Sequence, residues 1–330
     1  MKAAYINTTG SVDVIQYADL PDPTPDAGQV IVRTEAVAVN PIDTYVRGGM
    51  IAMNLPQPFI IGCDIAGTVA SVGEGVTGVR VGDRVWGSNQ GLLGRQGTFA
   101  ELCAIDSQWL YPLPDGVAAE DAAACALVGI TAHLGLFRRA KIKSGETVFV
   151  RGGTGGVGSM VVQMAKAAGA TVITTGSTDA KIQRCRELGA DFAINYKRED
   201  LAARLKELAP DGVDIFWETI REPDFDFAVE MLAHRGRMVL MAGRDARPAF
   251  PVGPFYVKEC ALHGFVMFKA SAEEMLEAAE DINTWLASGQ LKSQISHRLS
   301  LSQALEAHRL QEAGTLGGDD SLAGKIVLTV

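Results

Sequence analysis

Three glycines carry the first chemical signal in this sequence. Gly153, Gly155 and Gly158 form the pattern G-x-G-x-x-G within the stretch VFVRGGTGGVGSMVVQMAKAAGA. Glycine is costly in regular structure, so such a cluster indicates that another group must approach the backbone closely. In this spacing the first glycine permits a tight turn, the second lets a pyrophosphate reach the amides, and the third lets helix and strand pack. The pattern therefore predicts that a phosphate-bearing anion binds at the start of a helix.

The elements around these glycines give the motif its specificity. The apolar strand VFV precedes them, and the helical pattern SMVVQMAKAAGA and a second strand, TVITT, follow. Strands and helices alternate in this way from about Ala124 to Phe265, which is typical of a parallel sheet with crossover helices. Inside such a unit the glycines predict a dinucleotide site rather than an ordinary turn.

The end of the second strand bears on which dinucleotide binds. NAD sites usually carry Asp or Glu about 20 residues beyond the glycines, where it accepts hydrogen bonds from the ribose hydroxyls. Here the strand ends in Gly176, followed by Ser177 and Thr178, with Lys181 one turn on. A carboxylate would repel a 2'-phosphate, so its absence beside hydroxyls and a cation predicts NADPH. Asp179 is the exception, because it brings one negative charge close to this position.

Length and composition fit a two-domain globular protein. At 330 residues the chain exceeds the roughly 250 to 300 residues that a single core supports. Its net charge of -9 disfavours binding to nucleic acid or to an anionic membrane. No apolar run reaches the roughly 18 residues of a membrane span, and the first ten residues lack the apolar core of a signal peptide. We therefore expect a cytoplasmic protein.

The pattern of elements changes twice along the chain. Residues 1–123 contain short β-like runs separated by glycine and proline turns, residues 124–265 alternate between strands and helices, and residues 266–330 contain two helical stretches and a closing strand. The fold class predicted is α/β, with a dinucleotide-binding doubly wound sheet over the middle segment.

The cysteines exclude several other kinds of protein. Five of them are scattered without a C-x-x-C pair, which argues against a disulfide framework and against a structural zinc site. The sequence also lacks H-E-x-x-H, G-x-S-x-G and G-x-x-x-x-G-K-[ST], so zinc protease, serine hydrolase and P-loop functions are not favoured.

Motifs along nearly the whole chain resemble one family. They are NPIDTYVRGG, GCDIAGTVASVG, GDRVWG, GTFAEL, GITAHLGL, GGTGGVG, GADFAINY and GKIVL. In this order and spacing they resemble the zinc-independent quinone oxidoreductase (zeta-crystallin-like) branch of the medium-chain dehydrogenase/reductase family. The resemblance implies a GroES-like catalytic domain from residues 1–123 and 266–330, and a Rossmann domain from residues 124–265. With the interrupted segment FPVGPFYVKECALHGF, it also implies a homodimer joined through the Rossmann sheets.

The zinc-ligand positions of the related alcohol dehydrogenases separate this chain from them. The first position falls at Asn40 and Pro41, the second at Cys63 beside Asp64, and the third near Leu127. One potential ligand cannot make the three-ligand open site of a catalytic zinc. We therefore expect no metal, and a hydride acceptor such as a quinone that spreads the incoming charge over a conjugated oxygen.

The resemblance also assigns roles residue by residue. It implies that Asn40 and Tyr45 lie beside the nicotinamide as the catalytic residues. It further implies a binding set for NADPH that serves its ring, pyrophosphate and adenosine ends: Asn40, Tyr45, Thr131, Thr154, Gly155, Gly156, Val157, Gly176, Ser177, Lys181, Tyr196, Ala242, Gly243, Arg244, Val266, Met267 and Phe268.

Two alternatives stay open at the level of sequence. An NADPH-dependent enone, enal or enoyl reductase would use the same motifs, and an NADPH-binding structural or RNA-binding protein of crystallin type would keep the cofactor site. Two departures from the family bear on the substrate and on the affinity for NADPH. The loop after Arg47 offers Met50, Ile51 and Met53, which predicts an apolar substrate mouth, while Asp319 and Asp320 stand where some relatives carry a basic residue.

Overall fold

The chain folds as two structural units. The computed structural model describes residues 1–316 and 322–330. Met1–Ile130 and Ala270–Val330 form the first unit, and Thr131–Lys269 form the second. The divisions thus fall after residues 130 and 269, where the sequence placed them after residues 123 and 265.

The amino-terminal part of the chain is rich in antiparallel strands. Its elements are β1 (Lys2–Ile6), β2 (Gln16–Asp19), β3 (Gln29–Val39), α1 (Pro41–Arg47), β4 (Phe59–Ile60), β5 (Ile65–Val72), β6 (Arg84–Gly87), β7 (Leu102–Asp106), β8 (Leu110–Pro112) and α2 (Ala119–His133). Strand β3 reads QVIVRTEAVAV and is buried at most positions, because it pairs with β5 and β7 in the interior of its sheet. Gly67 of β5 is required there, since a Cβ would lie 2.1 Å from the Arg33 carbonyl oxygen.

The second unit is a parallel sheet covered by helices. Its elements are β9 (Thr147–Val150), α3 (Gly156–Ala167), β10 (Thr171–Gly176), α4 (Asp179–Glu187), β11 (Phe192–Asn195), α5 (Leu201–Leu208), β12 (Val213–Glu218), α6 (Phe225–Met231), β13 (Leu232–Leu240), α7 (Val252–Val257) and β14 (Ala261–Gly264). The strand order is β11-β10-β9-β12-β13-β14, with every neighbouring pair parallel. This is the doubly wound Rossmann arrangement, which confirms the predicted fold class.

Aromatic side chains fill the core of the second unit. Phe149 and Phe216 come from adjacent strands, and their ring centroids lie 4.9 Å apart. Ile173, Leu205 and Met231 belong to the same buried cluster. Burial of such side chains stabilises the sheet by roughly 1.5 to 3 kcal/mol each, so the strand edges that carry loops are held in fixed positions.

The carboxyl-terminal part of the chain returns to the first unit. It contains α8 (Ala272–Ser288), β15 (Ile295–Ser300), α9 (Ala304–Thr315) and β16 (Lys325–Thr329). Strand β16 pairs antiparallel with β3 and parallel with β15, so one sheet has the order β15-β16-β3-β5-β6-β8. A second sheet has the order β2-β1-β4. Both ends of the sequence therefore belong to the first unit.

One segment meets the length and composition of a membrane span. Among the residues that the structure describes, it is Ala119–Arg139, which comprises α2 and a π-helical continuation. Because 83% of its most apolar window is buried inside the protein, the segment has the character of a core helix.

Candidate active site

The glycine-rich turn joins β9 to α3 as predicted. Its left-handed residue is Gly152 (φ +81), one position before the motif, so the conformational role assigned to Gly153 belongs to its neighbour. Gly153 is needed instead for packing, because a Cβ there would lie 2.3 Å from Thr174 Oγ1. Gly158 lies against the turn itself, with a Cβ position 2.1 Å from the Gly152 carbonyl oxygen. The turn is therefore closed by contacts that only glycine allows.

Gly155 differs from the other glycines of the turn. It is exposed and is the N-cap residue of α3, and the nearest atom to its Cβ position is 3.7 Å away. Thr154 precedes it, and Gly156 and Val157 form the first turn of α3. An open backbone at the amino end of a helix fits an anionic group such as a pyrophosphate. The residues assigned to the pyrophosphate thus lie where such a group can approach.

The carboxyl end of β10 contains an unusual buried hydroxyl. Ser177 is 6% exposed, and its Oγ finds no hydrogen-bond partner among the described residues. Thr178 caps α4 by accepting a hydrogen bond from the Lys181 backbone N–H at 3.2 Å. A buried polar atom without a partner is rare, and it indicates that a ligand or water completes its hydrogen bonding. The position fits the 2'-substituent of a dinucleotide.

An exposed ion pair lies at the same end of the sheet. The Nη1 atom of Arg198 donates to both carboxylate oxygens of Asp179, at 3.0 and 2.8 Å. The Asn195 side chain donates to the same carboxylate at 3.3 Å. The negative charge of Asp179 that counted against NADPH is therefore balanced. Arg198 was not recognised in the sequence, because a cation in the polar run YKRED resembles any solvated surface residue.

The other residues assigned to the cofactor lie in the second unit, mostly past the carboxyl ends of parallel strands. Tyr196 follows β11, and its backbone N–H donates to the Gly176 carbonyl at 3.3 Å. Ala242, Gly243 and Arg244 follow β13, while Val266, Met267 and Phe268 follow β14; Thr131 lies in the last turn of α2. Ligands of open α/β sheets bind outside these strand ends. Residues 317–321, which include Asp319 and Asp320, lie outside the described residues.

Asn40 belongs to the first unit and lies at the centre of a buried network. It is fully buried and caps α1, where its backbone N–H donates to Asp43 Oδ2 at 2.8 Å. Its side-chain Nδ2 donates to Asp64 Oδ2 at 2.8 Å, and its Oδ1 accepts a short hydrogen bond from Lys325 Nζ. Both ends of the Asn40 amide are thus engaged inside the protein. This geometry favours a positioning role, and the catalytic role stays a prediction.

Lys325 and Asp64 form the charged centre of this network. Lys325 Nζ donates to the Val39 carbonyl at 2.7 Å and lies 3.8 Å from Asp64 Oδ2. Asp64 Oδ1 accepts hydrogen bonds from Ser88 Oγ at 2.7 Å and from the Leu127 backbone at 3.1 Å. Burial raises the pKa of Asp64 and lowers the pKa of Lys325, and their mutual attraction opposes both shifts. The donors around Asp64 stabilise its charged form.

Asp43 and Cys63 complete the network, and Cys63 stands at the second of the positions where the related alcohol dehydrogenases carry zinc ligands. Burial raises the pKa of Asp43 to about 7, although hydrogen bonding with Cys63 and Asn40 opposes this shift. Burial also raises the pKa of the Cys63 thiol well above its usual range. In residues 1–316 and 322–330, no three His, Cys, Asp or Glu side chains are grouped to hold a metal ion. The absence of a metal stays a prediction from these residue types.

Tyr45 is held on a rigid helix. It is partly exposed in α1, which ends at the buried Arg47. Arg47 donates to the Gly10 carbonyl at 2.6 Å and pairs with Glu312 of α9. Met50, in the loop that follows, is half exposed, and the apolar substrate mouth expected there stays a prediction. The first unit therefore fixes a phenol beside an apolar loop.

Comparisons with known proteins identify the family. Residues 26–115 match the model of the alcohol dehydrogenase GroES-like domain, and residues 156–282 match that of the zinc-binding dehydrogenases. Quinone oxidoreductase from Salmonella typhimurium is 30% identical over 327 residues, which cover 95% of this chain and 96% of that protein. A GroES-like unit combined with a Rossmann unit defines the medium-chain dehydrogenases/reductases. The chain belongs to this oxidoreductase family, in its quinone oxidoreductase branch.

Solved structures agree with this assignment. Escherichia coli quinone oxidoreductase complexed with NADPH superposes with a TM-score of 0.87 at 27% identity and full coverage of both chains. An NAD-dependent alcohol dehydrogenase superposes with a TM-score of 0.90 at 29% identity, also over the whole of both chains. The resemblance noted in the sequence is thus confirmed, and the fold is shared with enzymes of more than one activity.

Proposed function

We propose that this protein is a cytoplasmic NADPH-dependent quinone oxidoreductase that works without a metal. The observation that carries the proposal is the strand end at Gly176 and Ser177. A buried hydroxyl there lacks a partner among residues 1–316 and 322–330, and glycine stands where NAD sites carry an acidic residue. Relatives named quinone oxidoreductase, and the NADPH complex of one of them, support it. When bound, NADPH supplies the hydride.

The protein residues then have four tasks. Thr154 to Val157 receive the pyrophosphate at the open amino end of α3, and Ser177, Lys181 and Tyr196 receive the adenosine end. Tyr45 orients the acceptor, while Asn40 holds the start of α1 in place. A quinone that accepts hydride becomes a hydroquinone anion, which water can protonate. Hydrogen-bond donors at the acceptor oxygen are therefore sufficient for this substrate.

Gly176→Asp tests the choice of cofactor. A carboxylate at this position repels a 2'-phosphate, and we expect NADPH affinity to fall at least about tenfold while NADH binds equally well or better. Gly176→Ala is the steric control, because a Cβ would lie 3.1 Å from Lys181 Cβ and α4 must move slightly. Both dissociation constants are measured by fluorescence titration. Equal kcat/KM for the two cofactors in the unaltered protein would contradict the assignment.

Tyr45→Phe separates quinone reduction from alkene reduction. An alkene acceptor leaves an enolate whose carbon must receive a proton, and a positioned phenol speeds such a step by roughly 10² to 10⁴. The partial exposure of Tyr45 on a rigid helix is the observation that favours alkene reduction as a second candidate function. We expect the variant to retain quinone turnover within about tenfold. Selective loss of enone turnover would favour the alkene reductase, and loss of quinone turnover with normal NADPH binding would make Tyr45 an obligatory acid.

We also propose a homodimer formed through the second unit. Strand β14 lies at the edge of its sheet, and Val252, Tyr256, Val257 and Leu262 expose apolar surface near this edge. An antiparallel pairing of two β14 strands would satisfy their open backbone groups and cover this surface. Light scattering at micromolar concentration should give a dimer, and Val257→Asp should shift it towards monomer. A monomer at that concentration for the unaltered chain would rule out the proposal.

A further inference from the structure

The ion pair between Asp179 and Arg198 is not needed to hold the fold together. Both side chains are exposed, 73% for Asp179 and 69% for Arg198. Exposed ion pairs of this kind contribute little to the stability of a protein. Removing the pair would therefore cost little stability, and its position at the rim of the nucleotide site suggests another purpose.

Asp179 creates an electrostatic problem for a phosphate. It opens α4 two residues after Ser177, whose buried hydroxyl has no hydrogen-bond partner in the part of the chain that the structure describes. The strand end at Gly176 pairs with Asn195 in the neighbouring strand, and Asn195 contacts the Asp179 carboxylate. All of these groups thus converge at one corner of the sheet. An unbalanced carboxylate here would repel a 2'-phosphate.

Arg198 is placed to balance the charge of Asp179 and to contact a phosphate. Both of its hydrogen bonds to Asp179 come from Nη1, so this pair does not use Nε and Nη2 of the same planar group. Arginine binds phosphate through parallel N–H donors, and it keeps its charge at every physiological pH. Its location in the turn after β11 brings it to the same sheet corner as Ser177.

We propose that Arg198 is a specificity-determining residue, which neutralises Asp179 and donates to the 2'-phosphate of NADPH beside the Ser177 hydroxyl. This inference rests on the proposed use of NADPH. It identifies a side chain outside the set of Ser177, Lys181 and Tyr196, and it explains how a chain with an acidic residue at this corner accepts an anion. NADH, which has no 2'-phosphate, does not use Arg198.

The test measures dissociation constants of NADPH and NADH for four variants by calorimetry. Arg198→Ala should weaken NADPH binding at least about tenfold and leave NADH binding within about twofold. The reason is that only NADPH has the 2'-phosphate to which Arg198 donates. The double variant Asp179→Asn with Arg198→Ala should recover at least threefold of the NADPH affinity. Asp179→Asn alone should bind NADPH at least as tightly as the unaltered protein. Arg184→Ala is the control. It removes one exposed cation from α4, the helix that begins at Asp179, and should change neither dissociation constant.

The outcomes separate this inference from the proposed function. An unaltered protein that prefers NADPH, and an Arg198→Ala variant that keeps this preference within twofold, would overturn the role of Arg198 alone. An unaltered protein that binds both cofactors equally would overturn the proposed cofactor and this inference with it. Raising the salt concentration should weaken NADPH binding more in the unaltered protein than in Arg198→Ala, because the lost contact is ionic.

Discussion

Lys325→Met is expected to destabilise the first unit by about 3 to 5 kcal/mol. The substitution removes the ammonium group that donates to Val39 and Asn40, and it leaves the Asp64 carboxylate buried without its counter-ion. Removal of one member of a buried ion pair is costly because the remaining charge cannot be solvated. Denaturant unfolding followed by tryptophan fluorescence reports chiefly on this unit, which contains Trp86, Trp109 and Trp285, whereas the second unit contains only Trp217 of the four.

A second variant shows whether charge is the cause. Asp64→Asn combined with Lys325→Met removes both charges, and the Asn40 amide can turn over so that its oxygen accepts from the new side chain. We expect the double variant to recover at least about 1.5 kcal/mol relative to the sum of the single changes. A cost below about 1 kcal/mol for Lys325→Met, or strict additivity of the two changes, would show that the network does not depend on the ion pair.

Gly158→Ala should have an equally large effect in the second unit. Its Cβ would lie 2.1 Å from the carbonyl oxygen of Gly152, so the turn between β9 and α3 must open. Forcing one methyl group into such a contact costs about 1 to 3 kcal/mol or more. We expect NADPH affinity to fall by at least about 100-fold, because the turn that presents the amides to the pyrophosphate is displaced.

Gly155→Ala is the matched variant in the same turn. The nearest atom to its Cβ position is 3.7 Å away, so the fold accepts the methyl group and stability should stay within about 1 kcal/mol. NADPH affinity should nevertheless fall, because the methyl group stands where the pyrophosphate approaches. Thermal unfolding and fluorescence titration of both variants give the comparison. If Gly155→Ala bound NADPH normally, the pyrophosphate would not lie against this turn.

The part of the site that sequence could predict is the part whose residues are close together in the chain. The order of β9, the glycine turn, α3 and β10 follows from local periodicity and glycine spacing, and the structure has these elements at the expected places. The prediction of which glycine makes the tight turn was less precise, since Gly152 rather than Gly153 has the left-handed backbone. Helix α6 has only seven residues, FDFAVEM, which are too few to establish a helical period from sequence.

The buried network could not be predicted, because its partners are far apart in sequence. Lys325 meets Asn40 across 285 residues, and only the pairing of β16 with β3 brings them together. A lysine at the start of a closing strand resembles a solvated end residue when it is read locally. The pairing of Arg198 could not be predicted for a similar reason, because its partner Asp179 belongs to another element. Long-range pairing of charges is fixed by topology, and spacing along the chain does not reveal it.

The position of β16 has a consequence for protein synthesis. This strand comes last in chain order, yet it lies between β15 and β3 inside its sheet. A ribosome delivers every residue of the second unit before it delivers Lys325–Thr329. The second unit can therefore fold during translation, whereas the first unit waits with residues 36–39 of β3 without their β16 partner until that strand emerges. During that interval the nascent chain exposes a strand edge, which is the surface that chaperones of newly made proteins protect.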